Sequence, residues 1–280
     1  MRSRRMVPLA VLPALLVAGL LVAGCAATSD PAAAPAVRDA APESVSESVE
    51  PLRVEVLERY PHDPAAFTQG LELHDGDLYE GTGQYGESEL RVVDLDTGEV
   101  RRSVDLPVGD FGEGITVAGS RVWQITWREG VAYERDPVTL AERRRVDYAG
   151  EGWGICHDTA ADRLIMSDGT DKLTFRDPAS FAETGSVSVT RAGTPLTQIN
   201  ELECVDGVVW ANVWQTDEIV RIDPGSGAVT GQVDATGLLS DAERAGADVL
   251  NGIAAVPDSD EFLITGKYWP TLLRVRFVAG

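Results

Sequence analysis

The chain has 280 residues and a formal net charge of -21 at pH 7. This length suits one domain behind a leader, and the acidic balance argues against nucleic-acid binding, which needs a basic surface to neutralise phosphates. The same balance implies good solubility and a weak bias toward cationic ligands such as a peptide amine.

Residues 1–24 have the pattern of a bacterial export signal. Three arginines among the first five residues precede an almost entirely apolar run from 7 to 22, as in a secretory leader. The run ends in Leu21-Val22-Ala23-Gly24-Cys25, which resembles a lipobox, so we expect Cys25 to be diacylated and to become the new N-terminus. A transmembrane anchor is the alternative, disfavoured because the apolar run is short and small residues follow it.

Residues 25–50, which start at acylated Cys25, are expected to form a flexible tether. They are rich in Ala, Pro, Ser, Glu and Val and show no core-forming pattern. Residues 51–280 are then expected to form the folded domain that carries the function. We expect the protein to be exported and to be anchored by the lipid on Cys25, either to the outer face of the cytoplasmic membrane or in the periplasm.

A short motif recurs after the tether at intervals of roughly 40 to 50 residues, a spacing typical of propeller blades or solenoid units. The copies are Phe67-Thr68-Gln69-Gly70-Leu71, Phe111-Gly112-Glu113-Gly114-Ile115, Gly152-Trp153-Gly154-Ile155, Ile199-Asn200-Glu201-Leu202 and Leu250-Asn251-Gly252-Ile253. Each continues as an apolar strand, a turn and a second strand. Third strands end on Asp-Pro or Thr-Gly turns that favour hairpins, and fourth strands follow. The pattern predicts an all-β fold, a five-bladed β-propeller with four-stranded antiparallel blades.

The second strands are expected at Asp77–Gly81, Arg121–Ile125, Arg163–Ser167, Val208–Asn212 and Glu261–Thr265. They share one bulky apolar position, which we expect to pack between blades: Tyr79, Trp123, Ile165, Trp210 and Leu263.

The last repeat has three strands and lacks an outer one. The alternating segment Leu52–Leu57 fits that position, so we predict that this N-terminal strand pairs with the C-terminal strand and closes the ring, which hides an open edge. The one predicted helix spans Ser240–Ala247, before the last repeat.

Two further positions in the repeat carry side chains that packing alone does not select. The position opening the first strand holds Gln69, Glu113, Trp153, Asn200 and Asn251; the position closing the second strand holds Gly83, Trp127, Gly169, Trp214 and Lys267. In an antiparallel hairpin the start of one strand lies beside the end of the next. Both sets should therefore meet at one mouth of the central channel, which we predict to be the functional site.

Cys156 and Cys204 lie in the first strands of neighbouring repeats. A disulfide is plausible in an exported protein, but their offsets within the repeat differ by one residue, which could point the side chains to opposite faces. A disulfide and two free thiols therefore both remain possible for this pair. Neither cysteine is expected to be a catalytic thiol, because no His is placed as its partner.

These motifs, together with Gly266-Lys267-Tyr268-Trp269-Pro270, resemble the plant-type glutaminyl cyclases, five-bladed propellers that also occur in bacteria. The resemblance covers roughly residues 53–278, in order and in every repeat. It implies that an N-terminal glutamine of a peptide or protein attacks its own side-chain amide, which gives pyroglutamate and ammonia. It implies no cofactor, and we expect a monomer.

The site residues suit this reaction. Glu113 can take a proton from the α-amine and return it to the leaving amide nitrogen, acting as general base and then general acid. Asn200 and Lys267 are candidate donors to the tetrahedral oxyanion, and Gln69 can orient the substrate. Aromatic side chains would hold the substrate folded: Phe67, Phe111, Trp127, Trp153 and Trp214. Gly83 and Gly169 are expected to leave space for the peptide tail.

We expect metal-independent catalysis, because His62, His74 and His157 are dispersed along the chain. Two other functions remain open at this point. A non-catalytic propeller could bind a ligand or a protein at the same mouth. A propeller hydrolase would need a second acid facing Glu113, and neither polar position of the repeat supplies one.

Overall fold

The structure is a computed structural model that describes residues 48–280. The predicted leader, Cys25 and most of the predicted tether therefore lie outside the described residues. Between residues 48 and 280 no helix is long and apolar enough to span a membrane.

The described region is all-β, with 22 strands and one short helix. The first half contains β1 (Glu50–Pro61), β2 (Thr68–His74), β3 (Asp77–Thr82), β4 (Glu89–Val93), β5 (Val100–Asp105), β6 (Gly112–Ala118), β7 (Arg121–Thr126), β8 (Val131–Arg135), β9 (Glu142–Asp147), β10 (Ile155–Asp158) and β11 (Arg163–Ser167). The second half contains β12 (Lys172–Arg176), β13 (Glu183–Ser188), β14 (Thr190–Arg191), β15 (Thr194–Pro195), β16 (Ile199–Val205), β17 (Val208–Val213), β18 (Glu218–Ile222), β19 (Val229–Asp234), α1 (Asp241–Arg244), β20 (Leu250–Ala255), β21 (Glu261–Gly266) and β22 (Thr271–Ala279).

Consecutive strands form antiparallel sheets. Three separate sheets have four strands each, β2–β5, β6–β9 and β10–β13. A larger sheet has the order β16-β17-β18-β19-β1-β22-β21-β20. The second strands predicted from the repeat all form, each within a residue of its expected bounds.

The N-terminal strand lies inside the large sheet, next to the C-terminal strand. β1 pairs with β22 in antiparallel fashion from Leu52 to Pro61 and with β19 in parallel fashion from Glu50 to Arg53. The predicted pairing of this strand with the C-terminal strand is confirmed. The strand is longer than the predicted segment Leu52–Leu57, because it follows the nine-residue β22 past a register shift between Val56 and Glu58.

The first strands of neighbouring sheets approach each other closely. Every residue of β6 is buried, and the backbone N–H of Gly114 donates to the carbonyl of Trp153 at 2.8 Å. A Cβ atom at Gly114 would lie 2.8 Å from the Cα atom of Gly154, so a side chain has no room there. The bulky apolar position of the second strands is buried as predicted: Tyr79, Trp123, Ile165, Trp210 and Leu263 are at most 7% exposed.

The helix is shorter than predicted. Ser240 is its N-cap and forms a capping box with Glu243, but α1 ends at Arg244 instead of reaching Ala247. None of its residues is buried, and a helix without a packed apolar face gains little beyond its cap.

Cys156 and Cys204 form a disulfide with a Cα–Cα distance of 5.4 Å. It joins β10 to β16. The one-residue difference in offset along the two repeats would place the side chains on opposite faces only if both strands were regular. β16 contains a register shift between Ile199 and Leu202, whereas β10 pairs with β11 without a shift. The shift changes which face Cys204 occupies.

Candidate active site

A cavity of about 280 Å³ lies where first strands begin and second strands end. All nine residues that the sequence assigned to catalysis or substrate binding line it: Phe67, Gln69, Phe111, Glu113, Trp127, Trp153, Asn200, Trp214 and Lys267. These nine residues bring one carboxyl, two amides, one ammonium and an aromatic wall from different repeats into the cavity.

Backbone hydrogen bonds explain why the two sets of residues meet. The N–H of Trp127 donates to the carbonyl of Phe111 at 2.9 Å, and the N–H of Lys267 donates to the carbonyl of Val249 at 2.9 Å. In each case a residue just after the second strand is joined to one just before the first. Because antiparallel pairing fixes this neighbourhood, the site follows from the hairpin register.

Glu113 is the carboxyl at the centre of the site. It is 5% exposed, and its Oε1 accepts a hydrogen bond from Nε2 of Gln69 at 3.1 Å. Burial raises the pKa of Glu113 well above its ordinary value; the positive charge of Lys267 opposes this rise, and the negative charges of Glu151 and Glu129 add to it. A carboxyl with a raised pKa can both accept and return a proton near neutral pH.

Asn251 orients Gln69. Its Nδ2 donates to the carbonyl of Thr68 at 3.0 Å and to Oε1 of Gln69 at 3.4 Å. With its oxygen held by Asn251, the amide of Gln69 presents its nitrogen to Glu113. Asn251 therefore acts by fixing the orientation of the Gln69 side chain.

Lys267 brings a buried ammonium into the same cavity. The residue is 4% exposed, and its Nζ lies 4.6 Å from the centroid of the Phe67 ring, a cation–π distance. Burial lowers the pKa of Lys267, while the charges of Glu113 and Asp248 oppose that shift.

Aromatic rings form the walls in two contacting sets. Phe111 packs edge-on against Trp127 at a centroid distance of 5.5 Å and against Phe67 at 6.1 Å. Trp153 packs edge-on against Trp214 at 5.4 Å. Edge-to-face packing fixes ring orientation as well as burying apolar area, so these walls form a shaped surface.

The space beside Gly83 and Gly169 is filled, and the prediction that it accommodates the peptide tail is wrong. A Cβ atom at Gly83 would lie 2.4 Å from Cε1 of Phe111, and one at Gly169 would lie 2.6 Å from Cζ2 of Trp153. The glycines let two wall rings pack directly on the backbone. The sequence shows that these two positions of the repeat lack a side chain, but it does not show which aromatic ring fills the space beside each glycine.

Three further residues line the cavity without having been predicted: Gln215, Asp248 and Val249. Gln215 follows Trp214 directly and has a positive φ of 64°. Val249 immediately precedes β20, as Phe67 precedes β2, so the position before the first strand was the available signal. Asp248 is exposed, and its Oδ1 accepts from the N–H of Val249 at 2.8 Å.

The histidines are not grouped as metal ligands. His62 is buried, with Nε2 3.0 Å from Oε1 of Glu80 and Nδ1 2.7 Å from the carbonyl of Trp269. Within residues 48–280 no group of three or more His, Cys, Asp or Glu side chains is arranged to hold a metal ion.

An all-β domain with a buried carboxyl and a buried ammonium in one small aromatic cavity has the features of an enzyme site. The sequence matches the profile of a family described as "Glutamine cyclotransferase" over residues 22–277. The glutaminyl-peptide cyclotransferase of Arabidopsis thaliana is 40% identical over 229 residues, which cover 80% of this chain and 71% of the plant protein. The crystal structure of Myxococcus xanthus glutaminyl cyclase superposes with a TM-score of 0.75 at 37% identity, covering 83% of this chain and 100% of that one. The chain belongs to the glutamine cyclotransferase family.

Proposed function

We propose that Glu113 moves the protons in the reaction of this enzyme, a glutaminyl-peptide cyclotransferase. The substrate is the N-terminal glutamine of a peptide or protein. Its α-amine nitrogen bonds to the side-chain amide carbon, the amide C–N bond breaks, and pyroglutamate and ammonia result. One proton must leave the amine and one must reach the departing nitrogen, so a single group can serve both steps.

The position of Glu113 is the observation that supports this role. The α-amine has an ordinary pKa of about 8 and is mostly protonated at neutral pH. Its neutral form attacks, and this form must still lose one proton to a base as the new C–N bond forms. The carboxyl of Glu113 is buried, has a raised pKa and faces the cavity beside Gln69. It accepts the proton from the amine and then passes it to the leaving nitrogen. General acid–base catalysis of this kind contributes on the order of 10²- to 10⁴-fold in rate.

Lys267 and Asn200 supply the charge stabilisation in this mechanism. The tetrahedral intermediate carries a negative oxygen, and donors that are already in place stabilise it without reorganising. Both residues are buried and line the cavity. Gln69, whose amide is already oriented by Asn251 and Glu113, positions the substrate.

The aromatic walls hold the glutamine side chain folded toward its own amine. Cyclisation is intramolecular, so orientation adds less than it would for two separate molecules. We therefore assign most of the rate enhancement to proton transfer and charge stabilisation, and a smaller share to Phe67, Phe111 and the indoles of Trp127, Trp153 and Trp214.

Purified enzyme is expected to release ammonia from a Gln-Ala peptide at the same rate with and without a strong chelator. The reason is that every step above uses a protein side chain. Coupled detection of ammonia measures the rate, and the same peptide with an acetylated N-terminus, which cannot attack, is the control. A chelator-sensitive rate that added metal restores would contradict the metal-independent mechanism. Absence of ammonia release from the untreated enzyme would contradict the activity itself.

We also infer that the described strands form a five-bladed propeller closed by β1. The three four-stranded sheets and the order of the large sheet support this arrangement. Dividing the large sheet between β19 and β1 gives two more units of four strands, one of which takes β1 as its outer strand.

Outside the described residues, we propose that Cys25 is lipid-modified and holds the enzyme on the outer face of the cytoplasmic membrane or in the periplasm. The charged and apolar leader before the lipobox-like sequence supports this. Mass spectrometry of the mature N-terminal peptide is expected to show a diacylated Cys25, and an unmodified N-terminus upstream of it would contradict the proposal.

A further inference from the structure

Glu151 lies beside the cavity, in the segment between β9 and β10, and is not among the residues that line it. We propose that the Glu151 carboxylate is a positioning residue that fixes the indoles of Trp127 and Trp153 as substrate-binding walls. The inference rests on the proposed function of the cavity, but the contacts on which it stands are independent of it.

One carboxylate oxygen serves both indoles. Oε2 of Glu151 accepts from Nε1 of Trp127 at 2.9 Å and from Nε1 of Trp153 at 3.1 Å. An indole has a single polar atom, its N–H donor, so these contacts satisfy all the hydrogen-bonding capacity of both side chains. Trp127 follows β7 and Trp153 precedes β10, so the carboxylate joins wall residues from two different sheets.

Glu151 is itself held in place. Its Oε1 accepts from Nε of Arg128 at 3.0 Å, and the Arg128 guanidinium carbon lies 3.6 Å from the centroid of the Trp127 ring. The N–H of Gly152, the next residue, donates to the carbonyl of Trp127 at 2.9 Å. Trp127 is therefore fixed at its backbone, its ring face and its ring nitrogen, and two of these contacts depend on the segment containing Glu151.

The Glu151 side chain stays ionised at neutral pH. Burial acts to raise its pKa, but hydrogen bonds from Trp153, Arg128 and Trp127 outweigh burial and lower it. Hydrogen bonds to an ionised acceptor are about twice as strong as neutral ones, so the carboxylate is a strong acceptor for both indoles.

The consequence reaches the other rings. Trp127 contacts Phe111, and Trp153 contacts Trp214, so the orientation of these two indoles is passed on to both sets of wall residues. If the acceptor is removed, the indoles gain freedom that substrate binding must then remove, and ordering side chains weakens binding. A positioning role therefore affects KM more than kcat.

The test compares three substitutions at this position. Glu151→Leu removes the acceptor and is expected to raise KM for a Gln-Ala peptide about tenfold, the value of one hydrogen bond of typical net strength, with a smaller change in kcat. Glu151→Asp keeps the charge on a side chain one methylene shorter, which does not reach both indoles, and should also raise KM. Glu151→Gln keeps an acceptor oxygen at full length and should restore most of the affinity.

A second readout is independent of activity. The chain has six tryptophans, and in ¹⁵N-labelled protein their indole N–H signals are separately observable. Glu151→Leu should move the signals of Trp127 and Trp153, assigned with Trp→Phe variants, and leave in place those of Trp123, Trp210 and Trp269, which pack against other residues. This measurement remains valid even if the protein released no ammonia, so failure of the inference is distinguishable from failure of the proposed function.

Glu129→Gln is the matched control. Glu129 is a neighbouring carboxylate whose charge also raises the pKa of Glu113, but it accepts from the hydroxyl of Tyr85 and the N–H of Phe111 rather than from an indole. It should leave the two indole signals unchanged. An unchanged KM and unchanged indole signals in both Glu151→Leu and Glu151→Asp would overturn the proposal. So would a loss confined to kcat, which would mean that Glu151 acts only through its charge.

Discussion

The Glu113→Gln variant is expected to lose on the order of 10²- to 10⁴-fold in kcat for a Gln-Ala peptide, because no other side chain is assigned to take the proton from the amine. Glutamine keeps the length of the side chain and an oxygen that can accept from Nε2 of Gln69. In the wild type this nitrogen lies 3.1 Å from Oε1 of Glu113. The cavity should therefore keep its shape and KM should change little. Ammonia release under saturating substrate measures the effect.

Thermal unfolding separates lost chemistry from lost structure. Burial raises the pKa of Glu113 in the folded state above its unfolded value, so ionisation of this group opposes folding as the pH rises above the unfolded pKa. Neutral glutamine removes that penalty, and Tm at neutral pH should not fall. Glu203→Gln is the matched control, since Glu203 is also a buried carboxyl with a raised pKa but does not line the site. Wild-type activity in Glu113→Gln would remove Glu113 from the mechanism.

Lys267→Met is expected to lower kcat by about 10²- to 10³-fold, the usual effect of removing one preformed donor to an oxyanion. It should also change the pH profile of kcat. The positive charge of Lys267 holds the pKa of Glu113 down, so removing it should shift the ascending limb, where Glu113 loses its proton, to higher pH.

The descending limb gives an independent check on Lys267. In the wild type this limb should appear as Lys267 loses its proton, below its ordinary pKa of 10.5 because burial disfavours the charged form. The Met variant should lack it, and Lys267→Arg, which stays charged throughout, should restore the position of the ascending limb. An ascending limb at the same pH in wild type and Lys267→Met would show that the two groups do not interact.

Much of the site could be predicted because it depends on hairpin register. Gln69 and Glu113 open first strands and Lys267 follows a second strand, so hairpin pairing places each of them at the same end of its own repeat. The neighbouring repeats then bring these ends to one cavity. The second strands were equally predictable, since each has a bulky apolar residue that must be buried.

What could not be predicted depends on contacts between repeats. The rings that fill the space beside Gly83 and Gly169 come from Phe111 and Trp153, and no spacing within one hairpin identifies them. The contacts of Glu151 are equally hidden from spacing within one hairpin, because its partners Trp127 and Trp153 lie after β7 and before β10, in different repeats. The disulfide depends on a related feature, since β16 has a register shift that β10 lacks and strand pairing is what reveals this difference.

The position of β1 has a consequence for biosynthesis. This strand is made first among the described residues, yet both of its neighbours, β19 and β22, are made in the last quarter of the chain. β1 has no partner until β19 has been made, and its pairing with β22 can form only after nearly the whole chain has emerged from the ribosome. Late completion is compatible with the export that we propose, in which the chain crosses the membrane before it folds.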